Sequence, residues 1–302
     1  MKACIFDLDG TLTDTLDSLV YSVNLTLQEM GLTEISRDQC RRFVGNGARK
    51  LIEEALNATG DKGATRIEEG MQVYGRVFGE NCTYHVAPYA GIPEALEELK
   101  DKGIRLAVLS NKPHQQTLDV VETFFGKELF DYVQGQMDGI PRKPDPAGIH
   151  YILKNMQIPE SECLYVGDSE VDIVTGRAAG VKSVGVEWGF RDRKTLEAAG
   201  AEHIITTPDQ LLQGRIRDMY EYDEECLQAF LEQQGKLFDE PVADTLEEAE
   251  AFLEDCMAAV VNNIEEVKEF LEEEGMDVDG MSMEEIEEAA EVFALPSGQY
   301  LI

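Results

Sequence analysis

Six short apolar runs constrain this chain more than any other feature: Ala3–Phe6, Ile104–Leu109, Tyr132–Gln134, Cys163–Val166, Val181–Val186 and His203–Ile205. Unbroken runs of this length read as strands buried on both faces, which is the habit of a parallel sheet. Helical periods lie between them, as in Ile92, Ala95, Leu96 and Leu99, with Gly103 as the stop. Strands alternating with helices predict an α/β fold, a parallel sheet covered by helices on both faces.

One stretch breaks the alternation. From Leu16 to Ala87 only helical periods occur, with Leu19, Val23 and Leu27 on one face and Leu51, Ile52, Ala55 and Leu56 on another. A helical cap of residues 16–87, inserted after the first strand, is therefore expected. The chain returns at Pro88-Tyr89-Ala90-Gly91, which is turn chemistry, and residues 1–15 and 88–218 form the core.

Charge locates a second boundary. The 302 residues carry a formal charge of −34, but residues 221–302 hold 26 acids against Lys236 and Lys268 alone. The join is placed near Arg217–Tyr222, after the last basic cluster, and residues 219–302 read as an acidic, all-α C-terminal extension. Thr245-x-x-Glu248 and Ser282-x-x-Glu285 have the form of capping boxes. Apolar faces follow on Leu246, Ala249, Leu253, Met257 and Val260, on Ile264, Val267 and Leu271 before Gly275, on Leu227, Phe230 and Leu231, and on Ile286, Ala289, Ala290 and Phe293. No histidine follows His203, so no histidine metal site is expected there.

Such acidity excludes a nucleic-acid partner, because binding to phosphate backbones is driven by Lys and Arg. No apolar run approaches the ~20 residues that span a bilayer, and Asp7 comes too early for a signal peptide. The six cysteines are widely spaced, without a Cys-x-x-Cys pair, which fits a reducing cytoplasm.

In doubly wound sheets ligands bind beyond the carboxyl ends of the strands. The first strand runs into Asp7-Leu8-Asp9-Gly10-Thr11, the second into Ser110-Asn111-Lys112, and the fourth into Gly167-Asp168-Ser169 with Asp172 one helical turn on. Lys143 lies between the third and fourth, in Pro141-Arg142-Lys143-Pro144-Asp145-Pro146. An all-oxygen cluster of acids suits Mg²⁺, and that cation with Lys143 would neutralise a phosphoryl group while a free carboxylate attacks phosphorus. Ser110 and backbone N–H groups would hold the other phosphoryl oxygens. Each motif also has a plainer reading: an acidic turn, a helix cap at Ser110 or Asp168, a solvated charge at Lys143. A calcium loop is ruled out, because Ser18 stands where its twelfth-position glutamate belongs. Phosphoryl transfer is the reaction class that uses all the parts together.

With these four motifs in this order, residues 1–218 resemble the haloacid dehalogenase superfamily of phosphatases, and within it the phosphoglycolate phosphatases. Phe43-Val44-Gly45-Asn46-Gly47-Ala48 is similar to the cap loop of that subfamily, and Gly176-Arg177-Ala178-Ala179-Gly180 fits too. The resemblance implies a Rossmann-like sheet and a two-step reaction on a small phosphorylated metabolite, most of all 2-phosphoglycolate. Asp7 would be the nucleophile and Asp9 the general acid and base. Mg²⁺ would be held by Asp7, Asp168 and the Asp9 carbonyl, with Asp172 close by. Ser110, Asn111 and Lys143 would bind the phosphoryl group. Gly45, Asn46, Gly47 and Arg49 would contact substrate from the cap, Arg49 reaching a carboxylate or else standing as a solvated helix charge. The presence of Asp9 disfavours dehalogenation. Phosphosugar mutase and inorganic pyrophosphatase share these motifs and stay open; an idle scaffold is disfavoured by the intact motif set. The distant acidic extension matters little at the site, since the Debye length at 0.1 M salt is about 10 Å; Lys143, Lys112 and the cation set the local potential. His85 and His114 read as structural.

Overall fold

The computed structural model describes every residue except 202, 213–221, 223, 239–240, 257, 274–275, 277, 279, 288 and 290. The chain divides into two units, Met1–Leu212 and Gln213–Ile302. The expected join near Arg217–Tyr222 falls largely on residues 213–221 and so lies outside the described residues, as do Met257, Gly275 and Ala290.

In the first unit the six apolar runs become six strands of one parallel sheet. They are β1 (Ala3–Phe6), β4 (Arg105–Pro113), β5 (Tyr132–Gln136), β6 (Cys163–Gly167), β7 (Lys182–Val186) and β8 (His203–Ile205), in the order β5-β4-β1-β6-β7-β8. β1 sits between β4 and β6, with Ala3 opposite both Arg105 and Cys163, and all four of its residues are buried. Alternate residues serve opposite faces of the sheet. Ala3, Ile5, Ala107, Leu109, Cys163 and Tyr165 pack against Ile149, Ile152, Leu153 and Met156 of the helix Ala147–Met156. The chain leaves β1 first toward β4 and β5, then crosses back to β6, β7 and β8. Strand order therefore reverses at β1, and the crevice where such sheets bind ligands opens at its carboxyl end.

β4 runs farther than its apolar stretch. Ser110, Asn111 and Lys112 belong to the strand, and its register against β5 shifts between Leu109 and Pro113. Such an irregularity re-aims side chains, and here it sends neighbouring residues to different partners.

The insertion is helical, with α1 (Leu16–Glu29), α2 (Arg37–Phe43), α3 (Ala48–Ala58) and α4 (Ile67–Asn81). Leu19, Val23 and Leu27 are buried on α1, Leu51, Ile52, Ala55 and Leu56 on α3, and Tyr74, Val77 and Phe78 on α4. A short antiparallel ribbon, β2 (Thr13–Asp14) with β3 (Ala87–Pro88), carries the chain out and back. Two residues per strand are too few to leave a period in the sequence. Ser36 caps α2 through a reciprocal pair with Gln39, whose N–H donates to Ser36 Oγ at 3.2 Å.

The second unit contains helices Glu224–Gln233, Leu246–Cys256, Ile264–Glu273 and Met283–Glu287. Both capping boxes are made: Glu248 N–H donates to Thr245 Oγ1 at 3.2 Å, and Glu285 N–H to Ser282 Oγ at 3.3 Å. The region is helical as expected but not exclusively so. Val260–Val261 (β9), Phe293–Ala294 (β10) and Tyr300–Leu301 (β11) form a three-stranded antiparallel sheet, so Val260 and Phe293 extend strands and not helix faces. Phe230, Leu253 and Phe293 share one apolar cluster, and Val267, Leu271 and Ile286 another. Among the described residues, no helix of either unit is long and apolar enough to cross a membrane.

Candidate active site

The carboxyl ends of β1, β4 and β6 bring the motif residues onto one rim. Asp7, Asp9, Ser110, Asn111, Lys112, Lys143, Asp168 and Ser169 all line one cavity between the rim and the helical insertion. Lys143 is buried, its Nζ 2.7 Å from Asp172 Oδ1 and 2.8 Å from Asp7 Oδ1. Asp172 is saturated: Oδ1 also accepts from the Tyr165 hydroxyl at 2.9 Å, and Oδ2 from the Ser169 hydroxyl at 2.6 Å and its N–H at 3.1 Å. Asp172 is thus the anchor that holds Lys143.

Asp7 is held differently. Lys143 Nζ stands 2.8 Å from its Oδ1, and no second donor reaches this buried oxygen among the described residues. Asp168 accepts from Phe190 N–H at 2.7 Å and, at the edge of bonding distance, from Thr11 Oγ1 at 3.4 Å. Backbone closes around it so tightly that a Cβ on Gly10 would stand 2.3 Å from Asp168 Oδ2, and one on Gly189 2.3 Å from Asp168 Cβ. Only glycine fits at either position.

Carboxylate oxygens of Asp7, Asp168 and Asp172 lie within 4.8 Å of one another. Three buried carboxylates against one ammonium leave negative charge uncompensated, and the acids respond. Burial pushes Asp7 up to about 7; Lys143 pulls against that shift, while Asp172 and Asp9 add to it. Asp168 is raised well above the ordinary range by burial, then by Asp172 and Asp7. Burial works against the charge on Lys143, but Asp172 and Asp7 outweigh it and hold the ammonium charged. Three buried carboxylates whose oxygens converge, an all-oxygen donor set and surplus negative charge together fit a hard divalent cation.

Residues 4–186 match the family of haloacid dehalogenase-like hydrolases. The chain belongs to that family. It is 31% identical over 215 residues to the phosphoglycolate phosphatase of Colwellia psychrerythraea, covering 70% of this chain and 95% of the relative. It is 34% identical over 190 residues to that of Aquifex aeolicus, covering 63% and 86%. A crystal structure of a predicted phosphoglycolate phosphatase from Haemophilus somnus superposes with a TM-score of 0.66 at 28% identity, covering 70% of this chain and 96% of that one. This hydrolase is a phosphoglycolate phosphatase-like phosphoric monoester hydrolase.

The hydrolase differs from its sequence expectation on the cap side. Gly45 and Gly47 line the cavity, whereas Asn46 and Arg49 do not. Arg49 is half exposed and paired with Glu68 on α4. The cap reaches the cavity with Leu19, Val44, Ala48, Leu51, Tyr74 and Phe78 instead. Asn111 also lines the cavity and is hydrogen-bonded to its neighbours. Its Nδ2 donates to the Gly45 carbonyl at 2.9 Å and the Lys143 carbonyl at 3.0 Å, and its Oδ1 accepts from Lys143 N–H at 2.9 Å. It ties the cap loop to Lys143.

A second tie joins cap and rim, and no motif announced it. Arg41 on α2 donates to the carbonyls of Phe190 at 2.7 Å and Gly189 at 3.1 Å. Arg191 returns the contact, donating to the carbonyls of Arg41 at 2.9 Å and Val44 at 2.6 Å while pairing with Glu170 at 3.0 Å. The loop that holds Asp168 through Phe190 is the same loop that holds the cap. A signal was available, because Glu187-Trp188-Gly189-Phe190-Arg191 follows β7 and the carboxyl-end rule applies to that strand as well.

Proposed function

We propose that this hydrolase is a divalent-cation-dependent phosphatase of small phosphate monoesters, with 2-phosphoglycolate as its substrate and Mg²⁺ as its metal. The observation that carries the reading is the meeting of Asp7, Asp9, Ser110, Lys143 and Asp168 in one cavity, with Lys143 Nζ 2.8 Å from Asp7 Oδ1. The names of the relatives supply the substrate, and the oxygen-only donors favour Mg²⁺. Asp7, Asp168 and the Asp9 carbonyl would hold the cation, which supplies charge neutralisation for the phosphoryl oxygens.

Lys143, fixed by Asp172, holds the phosphoryl group against Asp7, and Ser110 donates to another of its oxygens. A carboxylate oxygen of Asp7 attacks phosphorus as the bond to the ester oxygen breaks, and Asp9 gives the departing alkoxide its proton. The aspartyl-phosphate is then opened by a water that Asp9 deprotonates; the Asp7–phosphorus bond breaks, inorganic phosphate leaves, and both carboxyl groups return to their starting state. The cap and the apolar side chains it brings exclude bulk water from these steps.

The test is a panel of phosphate monoesters assayed with purified protein, with and without Mg²⁺. Release of phosphate from 2-phosphoglycolate that needs Mg²⁺ and is abolished in Asp7→Asn is the expected result. Turnover that survives exhaustive chelation would overturn the metal assignment, and indifference to Asp7→Asn the mechanism.

A further inference from the structure

Three cations line the catalytic cavity, and they differ in what their donors already hold. Lys143 lies between Asp7 and Asp172. Arg191 spends Nε on Glu170 and its two terminal nitrogens on the carbonyls of Arg41 and Val44. Lys112 makes one hydrogen bond, to Asp9 Oδ1 at 2.8 Å, and its ammonium stands 4.9 Å from the centre of the Phe78 ring. Its side chain is 1% exposed. An ammonium has three donors, and taking one out of water is costly unless its donors are met. In the proposed reaction Lys143 takes the transferring phosphoryl group and the Arg191 fork grips the cap, so among the described cavity-lining cations Lys112 is the one with two donors left for a second anionic group.

The cap offers no alternative. Its cavity-lining side chains are Leu19, Val44, Leu51, Tyr74 and Phe78 with the small Ala48, none of them charged, and Arg49 is paired with Glu68 away from the cavity. Among the described cavity-lining side chains, Lys112 is therefore the cation best placed for a second negative group on a substrate.

Geometry decides which second group fits. In the proposed reaction Asp9 is hydrogen-bonded to the ester oxygen, and Lys112 Nζ is 2.8 Å from Asp9. A carboxylate on the carbon that bears the ester oxygen lies within hydrogen-bond reach of the same spot. A carboxylate several carbons farther along would be driven into the apolar wall of Leu51, Tyr74 and Phe78. That wall also excludes water, which strengthens a short ammonium–carboxylate attraction.

We propose that Lys112 is the specificity-determining residue of this site, its ammonium receiving the carboxylate of phosphate esters of 2-hydroxy acids. The proposal rests on the phosphatase reading above and deepens it, moving the carboxylate contact from the cap to β4.

The experiment pairs two enzymes with two esters. Parent and Lys112→Met are assayed on 2-phosphoglycolate and on ethyl phosphate, which keeps the ester oxygen and lacks the carboxylate. Any effect of the substitution through Asp9, the cation or the fold falls on both esters and cancels in the ratio of kcat/KM values. The preference for 2-phosphoglycolate should fall by at least about tenfold in Lys112→Met, as expected for losing a hydrogen bond to a charged group. Lys112→Gln, which keeps a donor for Asp9 and removes the charge, should lose the preference as well and serves if Lys112→Met does not fold. An unchanged ratio in a folded variant overturns the proposal. So does a parent enzyme that hydrolyses both esters equally well, although the phosphatase reading then stands. Turnover of neither ester by the parent overturns the phosphatase reading and the inference with it.

Discussion

The sheet rim and the cap bring opposite chemistry to one cavity. Every charged side chain that lines it comes from the core: Asp7, Asp9, Lys112, Lys143, Asp168 and Arg191. The cap supplies Leu19, Leu51, Tyr74 and Phe78, together with backbone carbonyls that the core grips. The lesson is a division of labour. In the proposed reading, chemistry and anion recognition belong to the strand ends and rim loops of the core, while the cap lines the space with apolar side chains. Concentrating charge on the sheet also bears on how a protein of net charge −34 would take the proposed anionic substrate: two buried lysines, with the proposed cation, would act at short range, within the ~10 Å over which charges are little screened.

The largest expected effect breaks the rim alone. Asp7→Asn removes the proposed nucleophile while preserving shape, so kcat should fall by several orders of magnitude with circular dichroism unchanged. Substantial turnover in the pure variant would mean that the rim does not act through Asp7.

Metal removal comes next, and pH gives it a direction. The carboxyl of Asp7 is raised from 3.8 to about 7, chiefly by burial. Between those values the native protein binds more protons than the unfolded chain, so stability of the metal-free protein falls as pH rises through that window. A cation needs the ionised form and competes with those protons. Chelated protein should therefore have a lower Tm at about pH 8 than at about pH 5, and Mg²⁺ should raise Tm more at the higher pH. An equal rise at both would show that no raised carboxyl is coupled to the cation. The cap should be indifferent to this titration, since its cavity-lining side chains carry no carboxylate.

What could be read from the sequence follows the same divide. The six strands and the residues at their ends were legible because a buried parallel strand leaves a continuous apolar run, and the residues just beyond it have little freedom about where to point. Asp7, Asp9, Lys143 and Asp168 needed no knowledge of tertiary packing to be placed on a rim. Arg49 did. Whether a helix residue faces a cavity or a neighbouring helix depends on how α3 lies against α4, and Glu68 on α4 decided it. Asn111 was placed at the rim correctly, but its bonds to Gly45 and Lys143 depend on the cap loop's approach and on the irregularity in β4. The small sheets β2–β3 and β9–β11 left no trace, since strands of two residues have no periodicity.

A smaller effect tests the tie between the two regions. Arg191 anchors the loop whose Phe190 N–H holds Asp168, and the same guanidinium grips Arg41 and Val44 of the cap. Loss of a group that orients a metal ligand through its neighbours typically weakens metal affinity by about 10–100-fold. Arg191→Ala should raise the Mg²⁺ concentration for half-maximal activity by about tenfold, with a modest fall in kcat at saturating metal. Titration of metal-induced stabilisation by Tm gives the same affinity without turnover. Arg191→Lys, with a single donor group in place of the fork, should recover only part of it. An unchanged metal requirement would show that the cap and the metal site are independent despite sharing a loop.

The smallest expected effect falls on Arg49, and its smallness is the point. If the cap contributes no charge to recognition, removing its most prominent candidate cation should leave catalysis alone. Arg49 is 49% exposed and its partner Glu68 80% exposed, so the pair is screened by water and salt. Exposed pairs contribute about 0–1 kcal/mol, and Arg49→Ala should lower Tm by no more than a few degrees. The KM for 2-phosphoglycolate should stay within about twofold of the parent, because a group outside the cavity makes no contact that differs between free and bound enzyme. A cap arginine receiving the substrate carboxylate in bidentate fashion would behave otherwise, with KM for 2-phosphoglycolate rising steeply and ethyl phosphate unaffected. That outcome would return carboxylate recognition to the cap and require α3 to turn Arg49 inward when substrate binds. With Lys112→Met assayed on the same two esters, the pair of variants assigns the carboxylate to one side of the cavity or the other.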